Sequence, residues 1–225
     1  PLYTYEGLKG MLAFHKPNKL PNNEFSHSVY GASDYEGAID SFDALDEIYS
    51  ELTYGQKHVS IASFSQMKDR VVLINGFSKS FAMTGWRIGF LAGPDWIVKA
   101  CNKLQGQYTS GPCSVSQVAA TEAFAGPQDC VEEMRQAFER RKNLIVELTK
   151  QIPGLEVNNP TGAFYLFPKC SSYFGKTDGT HVINNSMDLA MYLLEVGHVA
   201  TVGGDAFGSP ECFRMSYATS DENIV

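Results

Sequence analysis

The sequence predicts an α/β protein with a larger strand-and-helix region followed by a smaller α+β region. Three observations carry this. A short apolar run at 70–75, flanked by charged and turn-forming residues, suits a buried strand. After a second strand-like run at 85–93, helix-like segments continue up to a long amphipathic stretch at 128–152. Beyond that stretch, short strand-like runs alternate with a single helical segment.

Taken in order, residues 2–6 have strand-like content, 7–14 suit a brief helix, and 15–23 are turn-rich with two prolines and three asparagines. After the strand at 70–75, residues 85–93 read as a second strand, 94–105 as a helix and 114–125 as a helix rich in small residues. The segment 128–152 carries the strongest helical signal. Its Cys130, Val131, Met134, Phe138, Leu144, Ile145 and Leu148 recur close to helical spacing, a stripe that suits core packing. Strands are expected at 154–157, 163–167, 199–202 and 213–217, a helix at 186–195, and a capped helical start at 220–225. No internal repeat or low-complexity linker interrupts this order.

With 225 residues, 44% of them hydrophobic, the chain can bury a sizeable core as one large or two small domains. The formal net charge of −7 and the dispersal of basic residues argue against a nucleic-acid surface. Arg135, Arg140, Arg141 and Lys142 are offset by Glu132, Glu133 and Glu139, which reads as a solvated helix face. No apolar run is long enough to span a membrane, and a cytoplasmic location is the expectation. Five scattered cysteines without Cys-x-x-Cys spacing read as reduced structural thiols. Five histidines form no ligand cluster, so no metal is expected.

The chemistry concentrates in 75–90, NGFSKSFAMTGWRIGF. Lys79 falls in a small-residue turn just past a strand end, where partial desolvation of a lysine favours the neutral, nucleophilic amine. Ser78 and Ser80 add hydroxyls, and Arg87 adds a planar fork of donors suited to phosphate. Such a set could hold a phosphorylated aldehyde while Lys79 bonds to its carbon. The same spacing also fits an ordinary strand-turn segment with a solvated lysine, and other residues must decide.

Four ordered blocks do so. Asp46-Glu-Ile-Tyr49, Ser78-Lys79 through Arg87-Ile-Gly89, Gly162-Ala-Phe-Tyr-Leu-Phe167 and Phe213-Arg-Met-Ser-Tyr217 together resemble the class I aminotransferases, the fold-type I enzymes that use pyridoxal 5′-phosphate (PLP). The Ala-Met-Thr-Gly-Trp-Arg form is similar to the bacterial aspartate aminotransferase branch, and the resemblance covers about four fifths of the chain, from 46 to 225. It implies a large domain built on a mostly parallel seven-stranded sheet and a smaller α+β C-terminal domain. The boundaries it suggests are unplaced N-terminal pieces at 1–45, part of the large domain at 46–130, a linking helix at 131–152 and the small domain at 153–225.

The resemblance also implies roles. Lys79 is the cofactor lysine and proton carrier; Asp46 pairs with the pyridine nitrogen; Tyr49 touches the phenolic oxygen; Ser78 and Arg87 hold phosphate; Arg214 grips the substrate α-carboxylate. The implied reaction is transamination between an L-amino acid, with aspartate favoured, and 2-oxoglutarate, in a homodimer. The loop at 106–112 is similar to one reaching the neighbouring subunit, and a plain Gly/Pro turn explains it equally well. A PLP-dependent carbon–sulfur β-lyase and a non-catalytic interaction module are the alternatives.

Family members are nearly twice as long. Their Gly-rich phosphate loop, ring-stacking aromatic and Asn-Pro-x-Asn-Pro-Thr-Gly element have no counterpart before Asp46. Asn159-Pro-Thr-Gly162 imitates part of the last but reads as a turn entering the small domain. Residues 41–45 are too short for the helix and strand that lead into the Asp46 motif, so the expectation is pieces of a longer chain, with a deletion product as the other account.

Overall fold

The computed structural model describes residues 43–225, and the expectations for 2–6, 7–14 and 15–23 lie outside them. The chain divides into two compact units, one of residues up to Ile48 with Val59–Ala125, the other of Tyr49–His58 with Gly126–Val225.

The first unit is built on three strands in the order β1-β2-β3: β1 Asp43–Asp46, β2 Val71–Gly76 and β3 Gly89–Ala92. β1 runs parallel to β2 with Asp46 opposite Ile74, and β3 returns antiparallel with Gly76 opposite Gly89. The twelve residues between β2 and β3 fold into turns without a crossover helix, so the chain doubles back beside the strand it left. The described part of the expected mostly parallel sheet is therefore one parallel and one antiparallel pair. The strand expected at 85–93 is shorter than the sequence suggests. Thr84–Trp86 forms a 3-10 turn, and Arg87 takes left-handed angles (φ 51°, ψ 51°), so extension resumes only at Gly89.

Helices α1 Asp95–Tyr108 and α2 Ser114–Ala125 follow, close to the sequence expectation. Ile97 and Cys101 of α1 pack with Val72, while Ala120 of α2 joins Phe77 and Met83.

In the second unit, α3 Asp129–Lys150 lays Phe138, Ile145 and Val146 against Leu52, Tyr54, Leu166 and Tyr217. This is why Tyr49–His58, which the sequence boundary at 46 groups with the strands before it, belongs here: Leu52 and Tyr54 are core residues of this unit. Strands β4 Tyr165–Leu166, β7 Val202–Gly203 and β8 Phe213–Ser216 form an antiparallel sheet in the order β4-β8-β7. β5 Lys176–Thr177 and β6 Val182–Ile183 make a separate hairpin, and α4 Ser186–Glu195 starts on a side-chain cap from Asn185 to the Asp188 amide. The strand expected at 154–157 is only a bridge between Glu156 and Lys169. The helix expected at 220–225 is a turn, closed by Asn223 N–H to the Ser220 carbonyl and Ile224 N–H to that of Asp221.

Two anchors fix this unit. The hydroxyls of Tyr54 and Tyr217 both donate to the Ala163 carbonyl, which holds Ala163 at φ 59° just before β4. Burial pushes the Tyr54 hydroxyl up to about 12 and raises that of Tyr217 as well, so both phenols stay protonated donors at neutral pH. Elsewhere in this unit, Arg140 and Arg141 of α3 grip Asp221 at 3.0 and 2.9 Å. Among the described residues no helix is long and apolar enough to cross a membrane.

Leu166 is fully buried at 0% exposure, so Leu166→Ala should lower unfolding stability by about 2–5 kcal/mol in a denaturant titration. An unchanged midpoint would show that this strand is not part of the cooperative core.

Hydrogen bonds from Arg140, and then Arg141, hold the Asp221 carboxyl down to about 2. Because the folded value lies below the unfolded one, this contribution is fully present above about pH 4 and is lost as pH falls through about 2. The stability gap between the wild type and Asp221→Asn should therefore close over that window in acid titrations monitored by circular dichroism.

Candidate active site

Parallel pairing of β1 with β2 brings their C-terminal ends side by side. Asp46 closes β1, and its Oδ1 accepts the Ile48 amide at 3.1 Å, while the Glu47 amide donates to the Ile74 carbonyl at 2.8 Å. β2 continues two residues past Ile74, and the chain then turns through Phe77, Ser78, Lys79 and Ser80. Asp46, Ser78 and Lys79 thus share the carboxyl edge of a parallel strand pair, where open α/β sheets bind ligands.

The turn is held from beneath. The Phe77 carbonyl accepts the amides of Phe81 and Met83, both at 3.2 Å, and the Lys79 carbonyl accepts that of Ala82 at 3.3 Å. The Phe77 ring is buried against Phe81, Phe90 and, edge-on at 4.7 Å, Phe124 of α2. With Phe77 and Ser80 buried on either side, Ser78 and Lys79 stay half-buried at the surface of the turn. Two glycines let the returning chain close: a Cβ on Gly89 would lie 2.9 Å from the Asn75 carbonyl oxygen, and one on Gly76 would lie 3.2 Å from Ile48 Cδ1.

Arg87 is exposed, and its Nη1 donates to the Thr84 carbonyl at 2.7 Å, closing a loop around the 3-10 turn. The buried Ser116 hydroxyl of α2 donates to the Trp86 carbonyl at 2.9 Å and ties that turn to the helix. This tether was not found by sequence reasoning, because a serine in a small-residue helix carries no signal for its distant partner.

Tyr49 and Arg214 belong to the second unit. Tyr49 packs edge-on against Phe164 and Tyr165, and its hydroxyl donates to that of Tyr165 at 3.2 Å. Arg214 on β8 lies over the rings of Tyr165 and Phe207, 4.4 Å from each centroid. The structure therefore groups the site residues as two constellations: Asp46, Ser78, Lys79 and Arg87 in one unit, Tyr49 with Arg214 in the other.

The first constellation fits a phosphorylated pyridine aldehyde by its donor set: a carboxylate for a ring nitrogen, an amine for the aldehyde carbon, and a hydroxyl and guanidinium for phosphate. Among the described residues no group of three His, Cys, Asp or Glu side chains is arranged to hold a metal ion.

The family model described as aminotransferase class I and II matches residues 44–225. The chain belongs to that family. Among class I and II aminotransferases it is 50% identical over 177 residues to an aspartate aminotransferase of Geobacillus stearothermophilus, an alignment covering 78% of this chain and 44% of the relative. It is 48% identical over 181 residues to the bifunctional aspartate aminotransferase and glutamate/aspartate-prephenate aminotransferase of Petunia hybrida, covering 78% of this chain and 38% of the relative. The crystal structure of the aspartate aminotransferase from Rhizobium meliloti superposes with a TM-score of 0.81 at 40% identity, over 88% of this chain and 52% of that one. This chain thus spans about half or less of the length of these class I and II aminotransferases.

Removing the Ser116 hydroxyl should loosen the Arg87 turn without unfolding the unit. Ser116→Ala is expected to cost about 1 kcal/mol and to speed amide hydrogen exchange across residues 84–88. Exchange unchanged from wild type would mean that the turn is held without the tether.

Proposed function

We propose that this polypeptide forms part of a PLP-dependent aminotransferase that moves an amino group between an L-amino acid, with aspartate favoured, and 2-oxoglutarate, and that it works as a homodimer. The observation that supports the reading is the parallel pairing of β1, which ends in Asp46, with β2, whose C-terminal end leads into the Lys79 turn, within a chain of this family. The relatives named as aspartate aminotransferases support the choice of amino acid.

When bound, the cofactor supplies a protonated pyridine ring that accepts electron density from the substrate α-carbon. Asp46 would keep the proton on the ring nitrogen, since a nearby carboxylate favours the charged form of a base. Ser78 and Arg87 would hold the phosphate, the guanidinium offering two parallel donors. The Tyr49 hydroxyl would turn its one proton to the phenolic oxygen and accept from the Tyr165 hydroxyl instead. Lys79 Nζ would take the α-proton as a general base and return it as a general acid. Arg214 would grip both oxygens of the α-carboxylate and so fix which bond at the α-carbon stands perpendicular to the ring. Orientation then selects proton loss over decarboxylation.

The test is borohydride treatment of the protein with PLP, followed by peptide mass analysis and an aspartate:2-oxoglutarate assay. A pyridoxyl mass shift on the Lys79 peptide is expected, absent in Lys79→Ala, together with a fall in turnover of more than about 100-fold. A shift on another lysine, or turnover that survives the substitution, would refute the assignment.

A further inference from the structure

We propose that Tyr165 and Phe207 are positioning residues for Arg214, an aromatic brace that aims the guanidinium at a carboxylate without using any of its hydrogen-bond donors. The inference rests on Arg214 being the carboxylate clamp and names what makes it one.

Sheet register explains how the brace arises. Tyr165 of β4 stands opposite Ser216 of β8, and Arg214 is two residues before Ser216 on the same strand. Side chains two apart share a face, so Tyr165 and Arg214 are diagonal neighbours on one surface of the sheet. Phe207 reaches the guanidinium from another direction, at the end of the 3-10 turn Gly204–Phe207 that follows β7 and is stopped by Gly208 at φ 73°. Both rings come within 4.4 Å of the Arg214 guanidinium carbon, inside the roughly 6 Å range of cation–π attraction.

Each ring is itself held. Phe207 meets Phe167 edge-on, 5.8 Å between centroids and 89° between planes. Tyr165 meets Tyr49 edge-on at 6.1 Å and 81°, and the two hydroxyls are hydrogen-bonded.

The choice of aromatic groups has a chemical reason. A carboxylate partner would orient Arg214 equally well, but it would occupy the donor fork and compete with substrate. A ring face attracts the delocalised cation and leaves its N–H edge open. Among the described residues no carboxylate pairs with Arg214.

Succinate, a dicarboxylate that cannot react, is the probe, titrated by calorimetry into the PLP-saturated full-length protein and its variants. Phe207→Leu and Tyr165→Leu should each weaken succinate binding about 5- to 20-fold, while Tyr165→Phe, which keeps the ring, should stay within about twofold of wild type. Arg214→Lys should bind more weakly than either ring-deletion variant.

A second readout needs no ligand. The Arg214 Nε–H resonance should carry a ring-current shift that Phe207→Leu changes and Tyr165→Phe retains. Phe207 is 42% exposed, so its substitution tests the brace even where Tyr165→Leu fails to fold. Normal succinate affinity and an unmoved Nε–H resonance in folded Phe207→Leu, with binding lost in Arg214→Lys, would overturn the brace and keep the clamp. Normal affinity in Arg214→Lys, or no succinate binding by the wild type, would bring down the clamp and the brace with it.

Discussion

The close backbone approach at Gly76 and Gly89 is the constraint on which the Lys79 turn depends. A chain leaving β2 must form the lysine turn, a 3-10 turn and a left-handed corner, and still return in register with the strand it left. It can do so because neither glycine has a side chain to hold the strands apart, and a methyl group at 89 would press on the Asn75 carbonyl. Closure seals Phe77 beneath the turn, and the sealed ring then fixes the level at which Lys79 emerges.

The second unit solves a similar problem with side chains. Tyr54 and Tyr217 come from stretches far apart in the sequence to satisfy one carbonyl, that of Ala163. Their convergence sets where β4 begins, and so the height of Tyr165 relative to Arg214 on the neighbouring strand. Leu166, facing the other way, is buried between α3 and the sheet. One short strand thus serves the core with one residue and the arginine with the next.

Long helices and the β2 strand were legible in the sequence, because 12 to 22 residues of amphipathic or apolar pattern leave little ambiguity. Short strands were legible only in part: 213–217 matches β8 and 163–167 contains β4, but two others fail. At 85–93 and 154–157 the composition is strand-like, but a left-handed arginine in one and a single bridge in the other override it. That Asp46 closes one strand and Lys79 follows another was legible from motif order, and the parallel pairing of those strands aligns their ends. Phe207 was not, because a phenylalanine ahead of a glycine looks the same whether it fills a core or flanks a guanidinium. Grouping Tyr49–His58 with the second unit was equally hidden, as it depends on contacts with residues more than 80 positions away.

Arg87 sits at φ 51°, ψ 51°, a conformation that glycine adopts without strain and that costs any other residue about 1 kcal/mol or more. Folding alone would thus be served better by a glycine at this corner, and an arginine there has to be explained by its side chain. The guanidinium stands exposed, and the Thr84 carbonyl steadies one of its nitrogens. Stability given up at a single dihedral pair thus goes with a guanidinium left at the surface of the turn.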